Sequence, residues 1–444
     1  MSTDSPAQTE SADPPRPVEN ALGNRRADVV IVTAMAVVYA FSFFQRVAVP
    51  GTVFDELQRA FSLSSASVAL LGGTYLYIYS AMQLPAGALI DRFGGVRVIL
   101  AGGALLAAGA VLFPLSRSVA ALFAARALVG LGASAAYLCV VKEVDRRFSD
   151  RWFPAILGIV GFTASVGGLM GTFPLQRAME SYGWRTSLLA VGIATGFAVV
   201  LVAALSRTVR TTSTPPPTDA PRVIGRVIRN RSSMPAIAAS SIIFGSYFVV
   251  QTVIGKKLMT DCFGMSPSGA AGCTFAMMVT TICCVIIVGY VPSLIGGRRR
   301  PIQVAGGILA SVATGCAVLC LTLGAGATAM IACYMLMAMA STTNIMFVCS
   351  VKELNSPETP ATSIGVMNTA CYLGIATIVT LVGIILDQFS PQTAAGAALT
   401  YPPQAYRAVF AVLFVLSLAS LALTLRIKET RGRNRWHELR DLMS

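Results

Sequence analysis

The sequence predicts an all-α membrane protein in which twelve transmembrane helices form two pseudo-symmetric six-helix bundles. Of the 444 residues, 55% are hydrophobic and only 12% are charged, whereas about a quarter of the residues in a soluble domain are charged. The mean hydropathy is +0.69. Long apolar runs recur along the chain, and a polar, proline-broken segment separates the first six runs from the last six. These observations exclude a soluble fold.

Each of the twelve apolar runs is long enough to cross a bilayer as a helix, which takes about 20 residues. In chain order the runs cover residues 28–54, 66–90, 97–115, 118–141, 153–175, 185–206, 233–257, 268–292, 302–323, 326–350, 361–386 and 405–426. They predict five segments: a disordered cytoplasmic tail at 1–24, helical bundles at 25–206 and 233–427, a cytoplasmic linker at 207–232 and a cytoplasmic tail at 428–444. The first tail is rich in Ser, Pro, Thr, Asp and Glu, a composition typical of disorder, and shows no signal-peptide pattern.

The basic residues predict the orientation in the membrane. An even number of spans puts both termini on one side, and the loops of that side carry most of the Lys and Arg. Because such loops mark the cytoplasmic face, we expect both termini to be cytoplasmic, in a bacterial inner membrane. Lys256 and Lys257 are the main exception, and we expect at least one of them to anchor at the outer surface. The net charge of +14 follows this pattern and does not indicate nucleic-acid binding.

Three short matches relate the two halves, each at equivalent spans and in the same order. The pairs are Ala101-Gly102-Gly103 with Ala305-Gly306-Gly307, Val141-Lys142-Glu143 with Val351-Lys352-Glu353, and Phe61-x-Leu63-Ser64 with Phe263-x-Met265-Ser266. They predict that the two bundles are parallel repeats of one unit.

A charged, glycine-bearing turn is predicted at Gly87–Arg97, between the second and third apolar runs. Polar, flexible residues at the water face are what a hairpin of two membrane helices requires. The pattern Gly87-x-x-x-Asp91-Arg92-x-Gly94 resembles the signature of the major facilitator superfamily, although Gly95 and Val96 replace the two basic residues that follow in the family. The resemblance implies a transporter that works by alternating access, in which this loop stabilises one end state.

Further residues resemble the same family over 25–430. Arg126, followed by Gly130 and Gly132 in the fourth run, resembles its second motif, and the fifth run carries a glycine-rich packing stretch. From the resemblance we expect coupling or gating roles for a set of residues that also includes the two glutamates of the repeated Lys-Glu pairs. The set is Gly87, Asp91, Arg92, Gly94, Arg126, Glu143 and Glu353.

Arg46 is the strongest candidate for substrate binding, because a charged side chain inside a span costs roughly 2.5–3.5 kcal/mol and is functional by default. Tyr39, Phe43 and Arg46 are spaced i, i+4, i+7 and share one helix face. An arginine beneath aromatic rings suits an anion, since its planar fork matches a carboxylate or phosphate. The alternative is an arginine that extends to the outer surface along its own helix.

Lys142 and Lys352 occupy equivalent places in spans four and ten, beside Glu143 and Glu353. The resemblance implies that these spans line the central cavity, where the lysines would contact an anion and a neighbouring carboxylate would couple a proton. The alternative is that all four residues are charges at the ends of loops, at the cytoplasmic surface. Other polar or aromatic residues within spans are candidates to line the cavity or to pack between helices: Tyr75, Tyr79, Tyr247, Gln251, Ser341 and Asn344.

The run from Arg46 to the signature turn resembles the organic-anion branch of the superfamily, which includes anion:cation symporters and organophosphate antiporters. This resemblance implies secondary active transport of a small carboxylate, sugar acid or phosphate ester, coupled to a proton, sodium or a counter-substrate, by a monomer. The alternatives are a transporter of a neutral or zwitterionic solute and, ranked lower because only a short tail follows the last span, a membrane sensor. Only one histidine, His437, is present, and with neither a catalytic triad nor a nucleotide loop we expect no enzyme, no metal and no cofactor. Cys262 and Cys273 flank one outer loop and either pair or stay reduced.

Overall fold

The computed structural model describes residues 23–148, 153–207, 220–357, 360–391 and 399–436. Most of the predicted N-terminal tail, the middle of the linker and His437 lie outside these ranges. The helices are α1 Gly23–Val47, α2 Phe54–Phe61, α3 Ser65–Phe93, α4 Gly95–Leu115, α5 Val119–Ala133, α6 Ala136–Arg147, α7 Phe153–Met170, α8 Phe173–Tyr182, α9 Trp184–Ser206, α10 Ala220–Arg229, α11 Met234–Val249, α12 Gly255–Phe263, α13 Pro267–Leu294, α14 Arg300–Leu323, α15 Ala327–Thr342, α16 Asn344–Leu354, α17 Pro360–Asp387 and α18 Pro403–Thr424.

The predicted all-α, twelve-helix membrane fold is confirmed. Within the described residues, eleven stretches of helix are long and apolar enough to cross a membrane, and a twelfth is counted if α2 and Ser65–Gln83 of α3, which meet at 119°, are one bent unit. The first half comprises α1 to α9 and the second half α11 to α18. We call the face at which α1 begins the inner face and the opposite one the outer face.

Four spans are interrupted at positions related by the repeat. Span one breaks at Ala48–Thr52, where Val49 is extended, and span seven changes to a wider helical turn at Val250–Ile254. Span four breaks between α5 and α6, and span ten at Thr343, between α15 and α16. Equivalent glycines, Gly102 and Gly306, lie against these breaks. A Cβ on Gly102 would clash with the Gly132 carbonyl oxygen, and a Cβ on Gly306 would clash with the Thr343 side chain. Equivalent packing in both halves supports the repeat that the sequence predicts.

The two halves meet in the middle of the membrane and at the outer face. α3 packs along α17, and the broken segments 48–52 and 250–254 touch so closely that a Cβ on Gly51 would lie 2.3 Å from the Thr252 carbonyl oxygen. The hydroxyl of Ser80 donates to the Thr369 carbonyl oxygen at 2.8 Å. Inward of Ser80, α3 continues for about 20 Å at 1.5 Å per residue, and there no hydrogen bond or salt bridge joins the halves between described residues.

The turn within the signature segment, Gly87–Arg97, is shorter than the sequence suggests. Helix α3 continues through Gly87 and Arg92 to Phe93, so only Gly94 separates α3 from α4. Nothing before Gly94 breaks the helix, and the φ of +84° at Gly94 needs a residue without a Cβ. A Cβ on Gly95 would lie 3.0 Å from the Glu143 side chain, which places this turn directly against α6.

Cys262 and Cys273, which flank the loop between α12 and α13, are both free thiols.

Candidate functional site

Arg46 lies in the last turn of α1 and is buried, with only 6% of its surface exposed. Its guanidinium carbon lies 3.6 Å from the centre of the Phe43 ring, and its Nη1 donates to the hydroxyl of Tyr372 on α17 at 2.7 Å. The rings of Phe248 and Tyr372 lie within 5.8 Å of the same carbon. Arg46 therefore points into the interface between the halves, and the alternative of an arginine that extends to the outer surface is wrong.

No carboxylate balances this buried charge among the residues that the structure describes. The only hydrogen bond of the Arg46 guanidinium in those ranges goes to a neutral phenol, and its Nε has no acceptor. A buried cation that lacks a counter-ion is costly. The cation–π contacts recover only part of that cost, about 0.5–2 kcal/mol each. A negatively charged group bound at this guanidinium would supply the missing counter-ion and lower the cost of burying the charge.

Aromatic side chains from both halves surround Arg46. Tyr79 packs on Tyr75 and on Tyr372, with ring centres 5.8 Å and 4.7 Å apart. Tyr39 does not cover Arg46; its ring lies 5.5 Å from that of Tyr137 on α6. Tyr75 instead covers the guanidinium of Arg126, at 4.6 Å. Of the predicted aromatic residues, Phe43 and Tyr79 therefore lie closest to the arginine and its phenol partner.

Two predicted residues of span seven lie near this cluster. The Tyr247 hydroxyl accepts a hydrogen bond from Thr281 at 3.1 Å. Gln251 is buried in the widened segment of span seven, and its Nε2 has no acceptor among the described residues. An amide donor without an acceptor is available to a ligand oxygen. Gln251 therefore stays a substrate-binding prediction with a physical reason.

The polar residues of span ten are used in helix contacts. Ser240 on α11 donates a very short hydrogen bond to the side chain of Asn344, and the hydroxyl of Ser341 donates to the Ala338 carbonyl oxygen in its own helix. The bond to Asn344 joins α11 to the break between α15 and α16, whereas that of Ser341 stays within α15. The substrate-binding roles predicted for Ser341 and Asn344 stay predictions.

The repeated Lys-Glu pairs lie at the inner ends of α6 and α16. Glu143 is buried and accepts from Arg146 at 2.7 Å and from Arg147 at 2.8 Å, and Arg147 also pairs with Asp28 of α1. Glu353 pairs with Arg299 at 3.3 Å. Lys352 is exposed and Lys142 is half-buried. Their place near the inner surface is that of the loop-end alternative, and contact with substrate stays a prediction for both lysines.

Arg126 supports the break in span one. Its Nη1 donates to the Gln45 carbonyl oxygen at 3.0 Å and its Nη2 to the Val49 carbonyl oxygen at 2.6 Å. Because Val49 is extended, carbonyl groups around it lose their helical partners, and the planar guanidinium replaces two of those bonds. Arg126 thus fixes the backbone on either side of Arg46, and its predicted role in coupling stays a prediction.

We expect Arg126→Lys to destabilise the protein, since an ammonium group cannot span both carbonyls. The loss of one hydrogen bond to a charged group should lower the free energy of unfolding by about 1.5–3 kcal/mol. Thermal unfolding of the purified protein measures this, with Arg117→Lys, at an exposed loop arginine, as the control. Equal melting temperatures for the two variants would show that the bonds to Gln45 and Val49 contribute nothing.

A second charged cluster closes the outer side. Lys257 is 1% exposed and its Nζ donates to Asp55 at 2.7 Å, to Asp261 at 3.3 Å and to the Leu399 carbonyl oxygen at 2.6 Å. The Nζ of Lys256, also buried, donates to the Thr52 carbonyl oxygen at 2.5 Å. The expectation that one of these lysines anchors at the surface is wrong, because acceptors from the first half bury both.

Four residues that the sequence does not single out also belong to these two clusters: Tyr372 and Phe248 beside Arg46, and Asp55 and Asp261 beside Lys257. Tyr372 is one of several hydroxyl-bearing residues in an apolar run, and nothing in the sequence places it beside Arg46, 326 positions away. Asp55 and Asp261 did carry a signal, since two lysines on the lysine-poor face require carboxylates nearby.

Comparisons with known proteins agree with this architecture. A sequence profile of the Major Facilitator Superfamily matches residues 35–310, more than half of the chain. Monocarboxylate transporter 11 of Mus musculus is 27% identical over 226 residues, 50% of this chain and 49% of its own. The oxalate:formate antiporter of Oxalobacter formigenes is 28% identical over 162 residues, 35% of each chain. The chain thus spans about half or less of the length of the curated relatives that it matches.

Solved structures share the fold over nearly their whole length. A bacterial homologue of the human lysosomal transporter Spinster, in an inward-facing and occupied conformation, superposes with a TM-score of 0.70. Its sequence is 16% identical, and the match covers 89% of this chain and 95% of that one. At this identity the likeness shows the fold alone.

Proposed function

Because the chain belongs to the Major Facilitator Superfamily and is a multi-pass membrane transporter, we propose that it carries a small organic anion with a carboxylate group. The observation that carries the proposal is the buried guanidinium of Arg46, which lies between the halves without a carboxylate partner among the described residues. The names of the similar monocarboxylate and oxalate:formate transporters support the same ligand class.

In the proposed mechanism the carboxylate binds the free N–H groups of Arg46, while the Tyr372 hydroxyl accepts from the guanidinium, orients it, and donates a hydrogen bond to the ligand. Burial strengthens these bonds, since charge-assisted hydrogen bonds gain in a low-dielectric site. Aromatic rings from α3 and α17 then select ligands that are small or partly apolar. A phosphate ester or a sugar acid fits the charge but brings more polar oxygen atoms, each of which needs a hydrogen-bond partner in an aromatic site.

We further propose that the halves alternate about this site, and that the structure corresponds to the state open to the inner face. The support is the asymmetry of the contacts between the halves: Lys257 with Asp55, and the Ala66 amide with Asp387 at 3.1 Å, lie at the outer face. Opening to the outer face requires these bonds to separate. Coupling to an ion or to a counter-substrate would then act on the energy difference between the two states.

A binding assay with matched ligands tests the substrate class. Purified protein is titrated with mono- and dicarboxylates, each paired with its neutral amide, and with sugar acids, phosphate esters and amino acids, while thermal stability is followed. A specific ligand at a hundredfold excess over its Kd should stabilise the protein by about 2.7 kcal/mol. We expect carboxylates to stabilise it and their amides not to do so. Stabilisation by an amide equal to that of its acid would instead favour the neutral-solute alternative.

A further inference from the structure

A groove at the inner face, far from Arg46, combines positive charge with an apolar wall. It lies between the first turn of α14 and the chain that follows α18, and has a volume of about 630 Å³. Its rim carries Arg298, Arg300, Arg431 and Glu429, and its wall is formed by Pro301, Val304, Ala305, Ile308 and Leu425. The rim lies where α14 enters the membrane, since Arg300–Leu323 is a membrane-crossing helix.

The rim is positive because its one carboxylate is already occupied. Glu429 accepts hydrogen bonds from the backbone N–H groups of Arg299, Arg300, Thr430 and Arg431. Burial alone would raise the pKa of Glu429, but these four donors outweigh it and hold the pKa below its usual value. Glu429 therefore stays ionised and orders the loop, while three arginines against one glutamate leave two positive charges in excess.

The guanidinium groups of the rim are only partly used. Arg300 donates through Nη2 to the Leu425 carbonyl oxygen at 2.5 Å. Arg298 and Arg431 are exposed, and no carboxylate in the part of the chain that the structure describes pairs with either side chain. The first amides of α14 are taken by Glu429, so an anion here would bind the arginines and not the helix end.

The wall identifies the kind of anion. Val304 and Ile308 are one turn apart on α14 and face the membrane, and the exposed fraction of Ile308 is 49%. Leu425, on the other side, is 51% exposed. A ligand that satisfies both parts needs a phosphate at the surface and hydrocarbon chains below it. We propose that this groove binds an anionic phospholipid of the inner leaflet, with its phosphate at Arg298 and Arg431 and its acyl chains along Val304 and Ile308.

A second groove at the inner face, in the first half, offers an internal comparison. It has a volume of about 350 Å³, lies between α3, α4 and the end of α5, and is lined by Leu89, Phe93 and Leu105 among other apolar residues, with Arg97 as the one arginine among its described lining residues. If lipid preference came from apolar shape, both grooves would show it. The arginine cluster predicts selectivity for anionic lipid at α14 and α18 alone.

The test compares lipid binding by the wild-type protein and two charge-matched double variants, Arg298→Gln/Arg431→Gln and Arg97→Gln/Arg207→Gln. Native mass spectrometry counts bound phosphatidylglycerol against phosphatidylcholine, and glycerol phosphate tests the headgroup without chains. With a contribution of about 1 kcal/mol for each arginine, the first variant should bind phosphatidylglycerol about thirtyfold more weakly, and the second should match wild type. Arg298→Lys/Arg431→Lys, which keeps the charges, should retain most of the binding.

Three results would overturn the proposal. They are equal binding of the two lipids by the wild type, an equal loss in both glutamine variants, and binding of glycerol phosphate as tight as that of the whole lipid. The second would indicate diffuse surface charge, and the third a soluble anion. Because all four arginines are exposed, we expect the variants to fold, and elution as a single species checks this.

Discussion

Replacement of Arg46 by glutamine is expected to weaken binding of the anionic substrate by about 100- to 1,000-fold. Two hydrogen bonds between a guanidinium and a carboxylate contribute about 3–4 kcal/mol in a buried site, and each 1.4 kcal/mol is a factor of ten. Glutamine keeps a polar but shorter side chain beside Phe43 and provides no charge. Equilibrium binding and uptake into proteoliposomes should both fall.

Three further variants separate charge, geometry and fold. Arg46→Lys keeps the charge and loses the fork, so we expect intermediate binding. Tyr372→Phe removes only the phenol that accepts from Arg46 Nη1, and should weaken binding by about tenfold, the effect of about one hydrogen bond. Arg59→Gln, at an exposed arginine near the outer face, should leave binding unchanged. Wild-type affinity in Arg46→Gln would show that the anion binds elsewhere.

Much of the fold follows from the sequence because membrane helices obey local rules. Each apolar run must satisfy its own backbone within the bilayer, so run length alone places the helices to within a few residues. At Gly87–Phe93 this reasoning failed: charged residues suggested a loop, whereas the helix simply continues into water until Gly94 allows a turn. Polarity locates the membrane surface, but it does not end a helix.

Only the part of the site on α1, which carries the buried charge of Arg46, was predictable from the sequence. Arg46 is recognisable because a charge in a span needs a reason, and its neighbour Phe43 follows from helical spacing. Tyr372 and Phe248 come from the other half of the chain, and their approach depends on how two bundles pack, which no local pattern encodes. The same limit explains Lys256 and Lys257: their acceptors Thr52 and Asp55 lie about 200 positions earlier, at the end of the first span, and no local pattern joins them to span seven.

The second large effect is expected at Lys257, which joins Asp55 of the first half to Asp261 of the second. Lys257→Met removes the cation and leaves two carboxylates facing each other in a buried place, at a cost of about 3–5 kcal/mol. The protein relieves this cost by separating the halves at the outer face, where water reaches both carboxylates. A difference of this size shifts the balance between the two states by about 100-fold or more.

Hydrogen exchange measured by mass spectrometry detects that shift directly. In Lys257→Met the amides of α2 and α12 should exchange faster than in wild type. Transport should fall because the protein rarely returns to the state that is open to the inner face. Lys257→Arg keeps the charge and should behave nearly as wild type. Lys428→Met removes an exposed lysine at the inner face, after α18, and serves as the matched control.

A charge exchange distinguishes a gate from a purely structural cluster. In Asp55→Lys/Lys257→Asp the cluster again has one lysine and two aspartates, so the attraction between the halves is restored with its polarity reversed. We expect this double variant to recover slow exchange in α2 and α12, and part of the transport, beyond either single change. If Lys257→Met left exchange in both helices unaltered, or if the double variant were no better than the single ones, the outer contact would not control access. Closure would then rest on the close packing of Gly51 against Thr252.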